Sequence, residues 1–461
     1  MTGCKIYTCI CVLLLLFSCK KRDLQVEPAG AVTQQEVNDW ILENMRNYYL
    51  NNQSLPAQAS KSEEAITYFK SLLSRQDRFS AIYDSRDHGT IPRGMLRSVG
   101  IDYYVVTWPA APGGAIGIIN FVIPGTRAAI LGLERGDYFI RINGKTLTAT
   151  NAEQLSKELL EKPPGNITLA NLGMNEQPVE TGTVTLDLRT IVENPLYLQA
   201  VWDIEGKKTG YIFLNSFDDF YNQAILDCFK KFKQEGVTEL IIDLRYNPGG
   251  SITAATLLCA LIAPGIDENK PFIQYTGNNN LKTKMYTFKD VLTVPSEGNR
   301  VISFNDLSAG CLQLPRVFVL STGITASAAE VVINNLKPYM RVAHIGETTY
   351  GKDVGAISIT DNREPQRIPW VLLPETYKLA NARGEGGYAQ GIVPQLLVDE
   401  KTQLPLLPVG SKEDPLIDKA LSIIIGQTAM PNRLSIRKPD VLFNSMQKKT
   451  SASNLVLSLH Q

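Results

Sequence analysis

The stretch that most constrains this chain is Leu240-Ile241-Ile242-Asp243-Leu244-Arg245. Its apolar residues follow one another without polar alternation, the pattern of a strand covered on both faces. Such a strand needs layers above and below it, and the neighbouring sequence supplies them. Gly210–Leu214 reads as a strand, and Asp219–Gln234 as a helix with Ala224, Ile225, Phe229 and Phe232 on one face. Ile252–Ile262 reads as a second helix. Arg316–Leu320 is another apolar strand, followed by a helix from Ala328 to Leu336 that stops near Pro338, and then by the strand Val342–Ile345. Pro369–Leu379 is expected to form a strand pair and Pro415–Ile425 a last helix. From Lys208 onward the chain is therefore read as α/β. Within it, the polar stretch Lys270–Asn299 is expected to be a surface excursion.

Two regions of different texture come first. Between residues 34 and 94 the pattern is helical: Thr33-Gln34-Gln35-Glu36 fits a capping box, and Trp40, Ile41, Met45, Tyr48 and Tyr49 recur on one face. A second helix, Ser62–Leu73, follows, and Asp77-Arg78-Phe79-Ser80 is expected to close the region. From 95 to 192 short strands alternate with turns, including Asn143-Gly144, a hairpin signal. A tail from 427 to 461 lacks periodicity and is expected to be loosely ordered.

The first residues carry an address. Lys5 precedes the apolar run Ile6–Phe17, which is too short to span a bilayer and suits a signal peptide. Leu16-Phe17-Ser18-Cys19 resembles a bacterial lipoprotein processing site. That resemblance implies removal of residues 1–18, lipidation of Cys19, a tether over 19–33, and a membrane-anchored protein of the cell envelope, on the periplasmic side or at the outer membrane. A plain secretory signal is the alternative.

Composition excludes several classes. Lys plus Arg and Asp plus Glu are both 46, so no bulk field draws nucleic acid. Of seven cysteines, Cys4, Cys9, Cys11 and Cys19 fall in the leader. Cys228, Cys259 and Cys311 remain, an odd set without paired spacing, read as small buried residues rather than disulfides or metal ligands. There is no His-Glu-x-x-His, no Cys-x-x-Cys and no Gly-rich phosphate loop.

The candidate chemistry lies between Gly323 and Lys352. Ser327 sits at a strand-to-helix junction, where its hydroxyl can face a cleft. By pattern alone, Ser327-Ala328-Ala329-Glu330 is read as a helix cap, and Lys352 as a solvated loop lysine. Histidine is scarce: His88, His344 and His460 are all there is. A hydrolase lacking a usable histidine can activate serine with lysine, provided that burial keeps the amine neutral.

Two resemblances give these residues roles. The run I-P-G-T-R-A-A-I-L-G-L-E-R-G-D-Y-F-I-R-I-N-G resembles a PDZ domain of the bacterial protease type. Such domains capture a chain terminus as an added strand beside a helix, and the resemblance implies that Val99, Gly100 and Ile101 lie near the carboxylate. The stretch from T-A-S-A-A-E to G-E-T-T-Y-G-K, with D-L-R-Y-N-P-G-G upstream, resembles the C-terminal processing peptidases, or tail-specific proteases, of peptidase family S41.

By that resemblance the core over 193–426 is a crotonase-like α/β fold carrying an inserted PDZ-like domain, Ser327 is the nucleophile and Lys352 the general base. Ala328, with Gly249 or Gly250, would supply the oxyanion-hole amides. Substrates would be proteins or peptides cut near their C-termini, without a cofactor. The chain departs from the family pattern at Ala356, where many members have a Gln that orients the amine, and at Pro338, where some have Asp. The third catalytic residue therefore stays open, with His344 a candidate. This departure motivates an alternative: a peptide-binding or chaperone-like protein with weak or no proteolytic activity. Oligomeric state is not legible.

Overall fold

The computed structural model describes residues 30–86, 97–190, 194–293, 301–427 and 439–447. The leader, Cys19 and most of the tether lie outside the described residues, as do His88 and His460.

A six-stranded sheet forms the centre, in the order 196–204, 207–214, 239–243, 316–321, 341–346, 396–397. The first pair is antiparallel and the rest are parallel. Each apolar strand splits its side chains between two cores, as a doubly covered sheet requires. Ile212, Leu214, Leu240, Ile242, Val317 and Val319 face one core with the helices Asn222–Gln234, Ile252–Ile262 and Ala328–Leu336. Tyr211, Phe213, Ile241, Phe318 and Leu320 face the other, with the helix Pro415–Ile424 and with Phe121 and Ile123 from a separate β unit.

That unit is a seven-stranded sheet built mainly from 101–107, 115–122, 138–142, 165–172 and 178–186, backed by the helix Ala152–Glu161. Arg135 joins it to the centre, donating to Leu407 O at 2.6 Å and to Glu400 at 3.0 Å, and bonding Tyr246 Oη.

The N-terminal helices Gln34–Tyr48 and Ala65–Ser71 bury Ile41, Met45, Tyr49 and Phe69 against Ile359, Ile368 and Leu372. Thr33 caps the first helix by accepting from Glu36 N–H.

Three expectations need correction. Residues 270–293, the described part of Lys270–Asn299, are not a surface excursion: Pro271–Thr276 is a strand between 283–287 and 375–381 in a four-stranded antiparallel sheet. Its Phe272, Ile273 and Tyr275 are core residues, because alternation marks a half-buried strand as readily as a loop. The tail is not uniformly loose, since Val441–Asn444 pairs antiparallel with 101–107. Cys228 and Cys259 are buried free thiols, whereas Cys311 is only partly so.

Candidate active site

Ser327 ends the loop after the strand Arg316–Ser321 and precedes the helix Ala328–Leu336. The loop is fastened to the turn at the end of the neighbouring strand. Thr325 Oγ1 donates to Leu244 O at 2.8 Å, Ala326 N–H to Asn247 O at 3.0 Å, and Thr322 Oγ1 to Arg245 O. Ser327 is held at φ 57°, ψ −118°, a region that costs a non-glycine residue about 1–3 kcal/mol. A serine serving only as a cap would sit in the extended region with its oxygen bonded to the helix. Here the Oγ is fully buried and has no hydrogen-bond partner among the described residues. Strain together with an unsatisfied hydroxyl is the signature of a group positioned for something other than the fold.

What occupies the capping role is Glu330, which is fully buried. Its Oε2 accepts from Ser327 N–H and from Lys352 N–H, each at 2.8 Å. Its Oε1 accepts from Gly351 N–H at 2.8 Å and from Thr349 Oγ1 at 2.5 Å. One carboxylate thus fixes the backbones of both residues singled out in the sequence. Burial raises the Glu330 pKa, and the four donors work against that rise. The sequence pattern marked Glu330 only as part of a cap, because its second pair of partners lies some twenty residues away.

Lys352 is 2 % exposed. Burial pulls its pKa down from 10.5 to about 7, with the negative charges of Glu375 and Glu330 resisting the fall. Nζ lies 4.9 Å from the centroid of the Phe79 ring. Phe79 belongs to the segment expected to close the N-terminal helical region, and it also walls the amine. Neighbouring Arg78 places its guanidinium 4.8 Å from the Phe79 ring and 4.9 Å from the Tyr350 ring, and donates to Ala389 O at 3.0 Å. Glu375 is the cross-strand partner of Ala356. It accepts from Arg78 N–H, and burial, with Asp77 beside it, raises its pKa to about 7. An apolar wall and a titrating carboxyl therefore border the lysine from segments that no local motif could have indicated.

Gly249 and Gly250 adopt φ 108° and φ 125°. A Cβ on Gly249 would lie 2.6 Å from Ser327 Cβ, so the turn lies directly against the serine. The N–H of Gly249 is given to Asn247 Oδ1 at 2.8 Å, and Gly250 lies against the Phe217 backbone. Ala328 is the first helical residue, a position where amides lack an intrahelical acceptor.

His344 is buried on the strand Arg341–Gly346, with Nε2 2.6 Å from Ser321 Oγ. Burial holds its pKa down to about 4. It is a core histidine bonded to Ser321. Pro338 lies beyond the end of the helix, and its carbonyl accepts from Arg383 at 2.9 Å.

Val99, Gly100 and Ile101 lie elsewhere, at the start of the strand 101–107. Gly100 has φ 90°, and its carbonyl accepts from Ile123 N–H at 2.9 Å.

Under the site lies a buried ionic cluster. Arg245 contacts Asp243 at 2.7 Å, Asp414 at 2.7 Å and Glu400 at 3.2 Å. Two charges inside an apolar strand were its only trace in the sequence. Among the described residues no group of side chains could hold a metal ion, and no helix is long and apolar enough to cross a membrane.

Comparison with known proteins identifies the family. The family described as peptidase family S41 matches residues 208–394, and its N-terminal domain matches 36–81. A carboxyl-terminal-processing protease of Picosynechococcus is 25% identical over 356 residues, covering 74% of this chain and 77% of that protein. The carboxy-terminal processing protease CtpA of Bacillus subtilis is 27% identical over 283 residues, but the chain spans only 52% of its length. A solved S41 protease from Bacteroides fragilis superposes with a TM-score of 0.68 at 27% identity, covering 85% of this chain and 98% of that one. The matched segments hold Ser327, Glu330, Lys352 and the Asn247-Pro248-Gly249-Gly250 turn in one place, and Phe79 beside them. The chain therefore belongs to peptidase family S41 and is a serine-type peptidase.

Proposed function

We propose that this peptidase cleaves protein or peptide substrates near their C-termini by a Ser–Lys mechanism. The carrying observation is that one buried carboxylate, Glu330, holds the backbones of both Ser327, strained and with an unsatisfied hydroxyl, and Lys352, whose pKa is about 7. Ser327 Oγ attacks the scissile carbonyl carbon while its proton passes to Lys352 Nζ. The resulting oxyanion is held by the amides of Ala328 and the Gly249–Gly250 turn. The C–N bond then breaks, the departing amine takes the proton from Lys352, and water releases the acyl group by the same steps in reverse roles. A lysine with a pKa near neutrality is suited to both directions of transfer. His344 has no part in this chemistry, given its bond to Ser321 and its low pKa.

In this reading residues 193–426 form a crotonase-like core, 34–94 an N-terminal region and 95–192 an inserted PDZ-like domain. In that domain, Val99, Gly100 and Ile101 receive a chain terminus beside the strand 101–107 and the helix 152–161. Cys19 carries the lipid anchor at the cell envelope. The relatives, described as proteases, do not favour a non-catalytic peptide binder. Cleavage of an unstructured protein by the wild type, Ser327→Ala and Lys352→Ala tests the chemistry: both variants should lose at least about a hundredfold. Equal activity in all three would refute it. Fractionation of Cys19→Ala should move the protein from membrane to soluble fractions.

A further inference from the structure

The groove that this reading assigns to substrate capture is filled by the chain itself. Val441–Asn444 lies antiparallel along the edge of the strand Ile101–Thr107, with Val441 opposite Val106 and Asn444 opposite Tyr104. Hydrogen bonds run the length of the contact. Thr107 N–H donates to Asp440 O at 2.9 Å, and Ser445 N–H to Tyr103 O at 3.1 Å.

Leu442 and Phe443 pack on the cluster that contains Leu155 and Leu159 of the helix Ala152–Glu161, and the Phe443 ring centroid is 5.9 Å from that of Tyr103. The pairing descends from Val106 toward Tyr103, so the segment runs toward Gly100, the direction a captured terminus would take.

One contact reads chemistry rather than shape. Ser445 Oγ accepts from Tyr103 N–H at 2.9 Å and donates to Asp102 Oδ1 at 3.2 Å, and both partners are buried. Beyond it, buried Met446 joins the core cluster of Phe121, Phe213 and Tyr246. Tyr246 immediately precedes the Asn247-Pro248-Gly249-Gly250 turn, so the occupant reaches from the groove to the underside of the site.

We infer that residues 439–447 are an intramolecular occupant of the capture groove, displaced by substrates carrying an extended segment with an aromatic residue two positions before a hydroxyl. The inference rests on the reading of 95–192 as a peptide-capturing unit. An occupant tethered in the same chain competes at an effective concentration on the order of 1 mM, so a peptide of ~100 μM intrinsic Kd is weakened about tenfold.

The test measures binding of a fluorescein-labelled peptide of residues 439–447 to the full chain in a Ser327→Ala background. The same peptide is titrated against that protein truncated after Gln427 and against Phe443→Asp. The inference expects about tenfold tighter binding to both, and a smaller gain for Ser445→Ala. In the catalytically intact background, KM for an unstructured protein should fall while kcat for a short chromogenic peptide stays unchanged. Folded variants that bind the peptide no better than the full chain would overturn it. So would cooperative unfolding of both the truncation and Phe443→Asp, which would make 441–444 a structural strand. If Ser327→Ala keeps its activity, the Ser–Lys reading fails, but the binding comparison stands unaffected.

Discussion

Replacing Glu330 by Gln tests whether one carboxylate sets both halves of the site. The change keeps the size of the side chain and removes one acceptor and one charge. Four donors converge on Glu330: Ser327 N–H, Lys352 N–H, Gly351 N–H and Thr349 Oγ1. The amide can keep its oxygen on only one side. Facing Ser327 and Lys352 costs least, because the Thr349 hydroxyl can rotate to accept from the new NH2 group. The Gly351 N–H cannot, and is left unmatched. One hydrogen bond to a charged acceptor is lost, worth about 1.5–3 kcal/mol, and the others weaken to neutral ones.

The site should therefore lose roughly 2–4 kcal/mol of organisation, or about 30- to 1,000-fold in kcat/KM. The pH profile carries a second signature. In the wild type kcat/KM should rise through about pH 7 as Lys352 loses its proton. Glu330 is one of the two charges that resist the lowering of that pKa, so Glu330→Gln should move the limb to lower pH even as the plateau drops. Stopped-assay rates from pH 5 to pH 9, with circular dichroism to establish folding, decide the matter. A plateau within threefold of wild type, or a limb moving upward, would refute the reasoning.

Four further outcomes follow from the same geometry. Ser327→Gly should abolish turnover yet raise Tm, because glycine relieves backbone strain of about 1–3 kcal/mol at φ 57°; an unchanged or lower Tm would speak against strain. Gly249→Ala should cost at least about a hundredfold in kcat, since the added methyl would lie 2.6 Å from Ser327 Cβ at a backbone angle that disfavours alanine; wild-type rates would contradict the close approach. Arg245→Met should destabilise the fold by about 3–5 kcal/mol in urea, because Asp243, Glu400 and Asp414 would lose their shared cation. Lys352→Met should exceed the wild type in stability most at pH 6. The folded pKa of about 7 lies below the unfolded 10.5, so the wild type gains stability as pH rises between those values; a gap independent of pH would count against a buried, depressed amine.

Much of the fold was legible because apolar strands and capped helices announce themselves locally. Ile252–Ile262 and Ala328–Leu336 are helices with the expected ends, and Leu240–Asp243 contributes to both cores as its unbroken apolar run required. What stayed illegible depends on partners distant in sequence. Phe79 and Glu375 border Lys352 from opposite ends of the chain, and nothing local distinguishes them from other buried residues. Pro271–Thr276 looked like loop because polar residues on its outer face mask a core strand. Val441–Asn444 is apolar but only four residues long, too short a run to register as an element, and acquires its shape from the edge it covers. Ser327 and Lys352 stood out only by family likeness, since a cap and a loop lysine have the same local pattern.

The ionic cluster beneath the site bears on when activity can arise. The loop before Ser327 rests on the carbonyls of Leu244 and Arg245, while the Arg245 guanidinium needs Glu400 and Asp414 to be stable in its buried position. Those two carboxylates are among the last parts of the chain to emerge during synthesis. A growing chain that already contains Ser327 and Lys352 still lacks the anions that seat the strand beneath them. Seating of the loop that carries Ser327 thus depends on carboxylates that lie well downstream of it in the chain.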